Sequence, residues 1–137
     1  MFYYAKIEKE DGTYVVSFPD LPNINTFGET IDEALINAEE ALNGSLESDF
    51  ERGFKFIKPK KYKGNKFYKI YLQLHIVISY NLRKIRAKKS QIDIAKKLGI
   101  SYQAYQKLEN PRKCNPTVKT LEKIARIFHK ELEVNFK

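Results

Sequence analysis

The chain has 137 residues, of which 42% are hydrophobic and 13% aromatic, so it can form one ordinary domain or two small ones and is too apolar to be disordered. Its net charge of +8 is unevenly spread: residues 1–57 hold 4 Lys and Arg against 12 Asp and Glu, and residues 58–137 hold 21 against 5. The basic part is typical of a nucleic-acid-binding surface. The acidic part would repel DNA and attract a basic partner, unless its charges are simply solvated.

Cysteine, histidine and the apolar runs exclude several classes of protein. Cys114 is the only cysteine, so no internal disulfide can form, and His75 and His129 are too far apart in sequence for a metal-ligand motif. The N-terminus has no basic start followed by an apolar run, which argues against a signal peptide. The longest mostly apolar run, residues 70–80, is too short to span a bilayer. We therefore expect a cytoplasmic protein that holds no metal and no cofactor.

The first elements in chain order are short strands. Residues 2–10 and 13–18 are rich in β-forming side chains, and Asp11-Gly12 between them is a hairpin turn signal. Two prolines make residues 19–23 a rigid connection, and residues 24–27 are expected to form a short third strand.

A long amphipathic helix follows. Thr30 and Glu33 have the spacing of a capping box, and apolar residues then recur every three to four positions as far as Leu46. Gly44 is expected to weaken this helix and Gly53 to end it.

The lysine-rich residues 58–66 are read as an exposed loop, and residues 66–72 as a last strand. The predicted class is therefore α+β, with a ββ(β)αβ domain whose helix covers one face of the sheet. It is joined to an all-α domain, and the boundary is placed between residues 1–73 and 74–137.

One segment of the first domain carries a family resemblance. Residues 18–42 read FPDLPNINTFGETIDEALINAEEAL, with Pro-Asp-Leu-Pro at 19–22, Thr-x-Gly-x-Thr at 26–30 and Glu-Ala-Leu at 33–35 and 40–42. Over about residues 1–75 the chain resembles the HicB-type antitoxins, although Asn23-Ile24 stands where that family often has Gly-Cys. The resemblance implies a truncated RNase H-like domain that covers the active surface of a HicA-like toxin, a small ribonuclease.

The same resemblance raises the question of nuclease activity. Metal-dependent hydrolysis needs carboxylates that converge from neighbouring strands, but the last strand has none and the first has only Glu8 and Glu10 near its end. Two scattered histidines also exclude a Ser/His/Asp or Cys/His set. We expect no catalytic residues and no enzymatic activity.

The second half begins with a predicted helix over residues 74–87, although its β-branched run makes the start ambiguous. Residues 90–110 then read SQIDIAKKLGISYQAYQKLEN. Ser90 and Ser101 can cap two short helices, and Gly99 between them suits a left-handed turn, so the segment predicts a helix-turn-helix.

A further helix is expected after Thr117, with five apolar residues facing inward. These are Val118, Leu121, Ile124, Ala125 and Phe128. Residues 132–136 alternate between apolar and polar and are expected to form a dimerisation strand that pairs with a second subunit.

This half resembles the phage-repressor (Xre-like) helix-turn-helix family. The matching residues are Gln91, Ile94-Ala95, Leu98-Gly99-Ile100-Ser101 and Leu108-Glu109-Asn110. Pro111 departs from the usual glycine, and the cation expected to pair with Glu109 is either Lys84 or Arg86. Because the pattern fixes a fold and not its ligand, a helical module that binds protein remains an alternative.

The helix-turn-helix geometry assigns roles to five residues, and the family resemblance implies roles for three more. The second helix would present Ser101, Tyr102, Gln103, Gln106 and Lys107 to the major groove. Gln103 suits adenine and Lys107 suits guanine. Gln91 matches the family's phosphate-binding glutamine, and Arg112 and Lys113 would meet the DNA backbone.

Two functions remain open from the sequence. The first is an antitoxin that neutralises a HicA-like toxin and represses its own operon as a homodimer, or a larger assembly, on an inverted repeat in double-stranded operator DNA. The second is a transcriptional repressor whose N-terminal domain serves ligand sensing or oligomerisation.

Overall fold

The alternating residues near the N-terminus form a β-hairpin in the computed structural model, which describes all 137 residues. Strand β1 (Phe2–Glu10) pairs antiparallel with β2 (Thr13–Ser17), with Ile7 opposite Val16. The turn residues Asp11 and Gly12 both have positive φ, at 49° and 80°. A turn of this hand matches the twist of the two strands, and the predicted hairpin is confirmed.

Two further strands complete one antiparallel sheet of order β3-β2-β1-β4. They are β3 (Asn25–Gly28) and β4 (Phe67–Tyr71). Phe18 and Ile24, which were expected to belong to strands, instead lie in tight turns: Leu21 N–H donates to the Phe18 carbonyl and Ile24 N–H to the Leu21 carbonyl, each at 3.0 Å. The predicted ββ(β)αβ order is therefore confirmed with strand ends shifted by about one residue.

One face of this sheet is covered by α1 (Ile31–Glu51). Thr30 Oγ1 accepts from Glu33 N–H at 3.1 Å, as the capping spacing predicts. Buried residues recur every four positions along the helix and meet the buried side of β1. They are Ala34, Ala38, Leu42, Leu46 and Phe50 on the helix and Tyr3, Ala5 and Ile7 on the strand. Gly44 is exposed and does not interrupt the helix.

Asn43 is a buried polar residue that fixes α1 to the end of β4. Its Nδ2 donates to the carbonyl of Tyr71 at 3.1 Å, and its Oδ1 accepts from Gln73 N–H at 2.6 Å. A buried amide with partners on both atoms is stabilising rather than costly, so Asn43 joins the helix layer to the sheet.

The remainder of the chain is helical, as predicted. It contains α2 (Leu74–Arg86), α3 (Gln91–Leu98), α4 (Tyr102–Leu108) and α5 (Val118–Ile127). Their common core consists of Leu82, Ile94, Ala95, Leu98, Tyr105, Leu108, Ile124 and Phe128.

Two expectations for the C-terminal segment differ from the structure. Val118 is 62% exposed, because it occupies the first position of α5 before the inward stripe begins. Residues 130–137 have no regular secondary structure in the single chain. A lone strand lacks hydrogen-bonding partners, so its formation in an assembly remains a prediction.

The chain divides into two compact units, residues 1–74 and 75–137. The first holds 10 Lys and Arg against 12 Asp and Glu, a net charge of −2, and the second holds 15 against 5, a net charge of +10. The lysines of residues 58–69 therefore belong to the first unit, which is nearly neutral in total. No helix is both long enough and apolar enough to cross a membrane.

Candidate nucleic-acid interface

The turn between α3 and α4 is built from two capped helix ends. Ser90 Oγ accepts from Ile92 N–H at 3.1 Å, and Ser101 Oγ accepts from Ala104 N–H at 3.0 Å. Gly99 closes α3 in the left-handed conformation at φ 72°, and Ile100 N–H donates back to the Ala95 carbonyl at 3.1 Å. These local bonds orient the start of α4 relative to α3, as a helix-turn-helix requires.

The outer face of α4 is exposed, and its one side-chain hydrogen bond to another element of the unit joins Tyr102 to Gln91. All five residues that the sequence assigned to the groove are exposed, while Tyr105 and Leu108 on the opposite face are buried. The exposed residues are Ser101, Tyr102, Gln103, Gln106 and Lys107. The helix therefore presents two amides, a hydroxyl, a phenol and an ammonium group, which are donors and acceptors suited to base edges.

Gln91, the first residue of α3, lies beside the first residue of α4. Its Nε2 donates to Glu109 Oε1 at 3.2 Å, and its Oε1 accepts from the Tyr102 hydroxyl at 3.5 Å. Because an ionised carboxylate can only accept, Glu109 fixes which end of the amide faces it. One N–H of the Gln91 amide remains available, which suits a phosphate oxygen.

Glu109 is the buried centre of this arrangement, with a side chain that is 2% exposed. Arg86 holds it with two hydrogen bonds, Nε to Oε2 at 2.6 Å and Nη2 to Oε1 at 2.8 Å. Lys84 instead places its ammonium group 5.4 Å from the centre of the Tyr80 ring. Of the two cations that the sequence offered, the structure therefore selects Arg86. Arg83, which the sequence analysis did not name, also lies 3.9 Å from Glu109 Oε1 and donates to the Glu109 carbonyl at 3.0 Å.

The ionisation of Glu109 follows from these contacts. Burial alone would raise the pKa of its carboxyl, but the hydrogen bonds and the positive charge of Arg86, with a smaller contribution from Gln91, outweigh burial and hold that pKa below its ordinary value. The hydrogen bond to Glu109 in turn raises the pKa of Arg86. Tyr105 lies nearby with a buried hydroxyl that has no hydrogen-bond partner of normal geometry, and its burial raises its pKa. Glu109 is therefore a fixed negative charge that positions Gln91.

The loop after α4 carries the two remaining candidate residues. Asn110 Oδ1 accepts from Arg112 N–H at 2.9 Å, and the Asn110 carbonyl accepts from Cys114 N–H at 2.8 Å. Pro111 is buried inside this turn, so the departure from the family's glycine does not open the loop. Arg112 and Lys113 are exposed directly after the recognition helix.

A feature of the N-terminal unit escaped sequence reasoning. Asp20 of the Pro-Asp-Leu-Pro segment accepts from Lys60 N–H at 2.8 Å and from the Tyr62 hydroxyl at 2.7 Å. It thereby fastens residues 58–66, which we call the basic strap, to the sheet domain. The hydrogen bond to Asp20 raises the pKa of Tyr62. No short sequence motif could predict this contact, because its partners are forty or more residues apart in sequence.

The outward face of α1 has a different character. The helix carries seven acidic residues and no Lys or Arg, and Ile36 on its outer side is 60% exposed. The exposed acidic residues on the helix are Asp32, Glu33, Glu39, Glu40 and Glu51. Their placement does not create a metal centre, since no group of three or more His, Cys, Asp or Glu residues is arranged to hold an ion.

Comparison with known proteins agrees with both units. Residues 2–77 match the family model described as the HicB-like antitoxin of bacterial toxin-antitoxin systems, and residues 80–135 match a helix-turn-helix model. The fold and these matches thus define a two-domain protein with a HicB-like unit and a helix-turn-helix DNA-binding domain. The chain belongs to the HicB-like antitoxin family.

Individual relatives extend these matches. The chain is 29% identical over 126 residues to antitoxin HicB 1 of Photorhabdus laumondii, covering 92% of this chain and 80% of that protein. It is 46% identical over 55 residues to an uncharacterized 14.9 kDa protein of Haemophilus phage HP1, of whose length the match spans only 41%. The N-terminal domain of the Burkholderia pseudomallei antitoxin HicB is 28% identical, with a TM-score of 0.48 over 53% of this chain and 99% of that one.

Proposed function

We propose that this protein is the antitoxin of a type II toxin–antitoxin system, which neutralises a small HicA-like ribonuclease and represses its own operon by sequence-specific DNA binding. The observation that carries this proposal is the pairing of a HicB-like unit with a helix-turn-helix whose recognition face is exposed. Both clients, the toxin and the operon, would be met in the cytoplasm.

In the DNA complex, α4 enters the major groove with its N-terminal end toward the bases. Gln103 reads adenine and Lys107 reads guanine, while Ser101, Tyr102 and Gln106 complete the groove contacts. Gln91, Arg112 and Lys113 contact phosphates and set the register. One such module reads few base pairs, so the protein acts as a homodimer or larger assembly on an inverted repeat, and residues 132–136 pair between subunits.

In the toxin complex, the outer face of α1 is the docking surface. A ribonuclease that binds RNA needs a basic active surface, and α1 offers four exposed acidic side chains within one helical turn of the exposed Ile36. They are Asp32, Glu33, Glu39 and Glu40. An apolar residue surrounded by complementary charge is the usual composition of an interface centre and its rim.

The DNA half is tested by replacing Gln103 with alanine. We expect a loss of about 1–3 kcal/mol of binding free energy on the operator and relaxed preference at one base position, because one bidentate contact disappears. Fluorescence anisotropy on operator and scrambled duplexes measures both effects. Lys123→Ala, an exposed lysine of α5, is the matched surface control. An equal loss on scrambled DNA would contradict a base-reading role.

The toxin half is tested by Ile36→Lys, which places a positive charge at the centre of the acidic surface. We expect loss of co-purification with the toxin and loss of growth rescue on co-expression. Val118→Lys, in which the replaced residue is 62% exposed compared with 60% for Ile36, is the matched control in the other unit. A wild-type chain that represses its operon but never rescues growth fits the alternative, a repressor with a ligand-sensing or oligomerising N-terminal domain.

A further inference from the structure

The sheet face opposite α1 carries aromatic rings instead of the polar residues expected on an open face. Residues paired across neighbouring strands share one face, and the register places Phe2 opposite Tyr71 and Lys6 opposite Phe67. Tyr3, Ala5 and Ile7 alternate with these positions and are buried on the helix side. Phe2, Tyr4, Phe67 and Tyr71 therefore belong to the face that α1 leaves uncovered.

The rings on this face form one continuous cluster. Phe2 lies 5.4 Å from Tyr4 and 5.5 Å from Tyr71, measured between ring centroids. Tyr62 of the basic strap stacks on Phe67 at 5.1 Å and approaches Tyr4 at 6.1 Å. We call these five rings the aromatic face. At its edge Tyr71 is 57% exposed, so a large ring surface is open to solvent.

Lysines surround the aromatic face. Lys69 Nζ lies 5.0 Å from the centre of the Phe2 ring, and the strap contributes exposed lysines that Asp20 holds in place through Tyr62. Seven of the ten basic residues of this unit lie on the aromatic face or the strap. They are Lys6, Lys58, Lys60, Lys61, Lys63, Lys66 and Lys69.

The acidic residues lie mainly on the other layer. Helix α1 carries seven of the twelve acidic residues of the unit. On the sheet face, Glu8 pairs with Lys6 at 2.8 Å and with Lys66 at 3.7 Å, but the lysines outnumber the carboxylates there, so the two layers have opposite charge. A ligand for the aromatic face must therefore be negatively charged and able to stack on rings. Single-stranded nucleic acid has both properties, since its bases stack on aromatic side chains while lysines follow its phosphates.

We propose that the aromatic face and the basic strap bind single-stranded RNA, with Tyr71 and Phe2 stacking bases and Lys69 and the strap lysines contacting phosphates. The choice of RNA over single-stranded DNA rests on the proposed function, because a ribonuclease toxin brings its RNA substrate to the same molecule. The aromatic face would then be a second nucleic-acid site, chemically distinct from the helix-turn-helix.

The test measures binding of a fluorescein-labelled twelve-nucleotide oligouridine RNA to the full chain by anisotropy, without toxin. Tyr71→Ala should weaken RNA binding about five- to one-hundredfold, which is the range of one lost stacking contact. Tyr71→Phe should restore it, because the ring and not the hydroxyl carries the stack. Lys69→Ala should weaken binding and lower the salt slope by about 0.7. None of these changes should alter operator binding.

Lys107→Ala supplies the reciprocal control, since it should weaken operator binding and leave RNA binding intact. If Lys107→Ala weakens RNA binding and Tyr71→Ala does not, the RNA lies on the helix-turn-helix and the proposal is overturned. Equal affinity for single-stranded DNA of matched length overturns the commitment to RNA. If the wild type does not bind RNA but self-associates, and Tyr71→Ala abolishes that self-association, the proposal is overturned, because the aromatic face then binds a second copy of the chain.

The test also separates this inference from the proposed antitoxin function. Toxin rescue is measured by growth on co-expression, and RNA binding is measured by anisotropy in the absence of toxin. Because Ile36, Lys69 and Tyr71 line one pocket at the edge of the sheet, each variant is measured in both assays. Loss of either result therefore leaves the other standing.

Discussion

At the scale of single residues, Gly28 shows why the Thr-x-Gly-x-Thr segment needs a glycine. A Cβ at this position would lie 2.4 Å from the backbone nitrogen of Ala34 and 2.8 Å from its Cα. Both atoms belong to the first turn of α1, so no side chain can move aside. Gly28 therefore lets β3 approach the start of α1 closely, and Asn37 reinforces that contact by donating to the Phe27 carbonyl at 2.8 Å.

This contact predicts opposite effects at two glycines. Gly28→Ala should lower the free energy of unfolding by about 1–3 kcal/mol, because the methyl group forces backbone apart. Gly44→Ala should raise it by about 0.5–1 kcal/mol, since Gly44 lies in α1 with nothing within 4 Å of its Cβ position. Urea unfolding followed by circular dichroism measures both, and a shift in the same direction at the two sites would contradict the account.

Glu109 shows how one residue links stability to the exposed face of α4, the candidate DNA-binding surface. It is buried, holds Arg86 in two hydrogen bonds and orients the Gln91 amide. The sequence limited the choice of its partner to Lys84 or Arg86. The structure was needed to show which side of α2 faces Glu109 and therefore which of the two side chains reaches it.

At the scale of secondary-structure elements, the packing of α2, α3 and α4 depends on the Glu109 carboxylate. Because the pKa of Glu109 is lowered in the folded state, its ionisation stabilises the fold above its unfolded pKa, which is about 4.3. The stabilisation is lost as pH falls through the lower, folded pKa. We expect the helical unit to lose stability below about pH 4.3. Glu109→Gln should be less stable at pH 7 and nearly independent of pH in that window.

Urea midpoints between pH 3 and pH 7 check this expectation. Glu122→Gln, which replaces an exposed carboxylate of α5, is the matched control and should retain the acid dependence of the wild type. If the urea midpoint of Glu109→Gln fell at low pH as much as that of the wild type, the loss of stability would come from other carboxylates.

Asp20 holds the middle of the basic strap, and Lys66 at its end is held separately by Ile7 N–H at 2.9 Å and by Glu8 at 3.7 Å. Asp20→Asn preserves size but removes the charge that accepts from Tyr62 and Lys60. We expect faster tryptic cleavage within residues 58–66, because the segment is released from the sheet more often. Glu29→Gln is the control, since it removes an exposed acidic charge elsewhere in the same unit. Equal cleavage rates in Asp20→Asn and the wild type would show that the ring contacts of Tyr62 and the bonds of Lys66 hold the strap without Asp20.

At the scale of the whole molecule, features that depend on residues close in sequence were predicted better than contacts between residues far apart in sequence. The caps at Thr30, Ser90, Ser101 and Thr117 and the turn at Gly99 depend on residues within one helical turn, and all formed as predicted. The exposed recognition face followed from helical period alone. The family could also be recognised from the sequence, because its motifs lie in contiguous segments.

Contacts between distant residues were not predictable in the same way. The sequence divided the charge at residue 57, but the lysines that follow return to the sheet through the strap and β4. The aromatic face was equally hidden, since Phe2 and Tyr71 meet only through strand pairing. Whether the candidate residues contact DNA remains a prediction that the Gln103 experiment tests.

The pairing of the first strand with the last strand of the sheet has a consequence for synthesis on the ribosome. Phe2 cannot meet Tyr71 until both have left the exit tunnel, so a nascent chain lacking β4 has β1 exposed along one edge. Closing so long a loop is slow compared with forming the hairpin or the helix. The sheet unit is therefore completed only after residues well beyond β4 have been translated. A message cut before codon 67 would yield an aggregation-prone fragment rather than a smaller working protein.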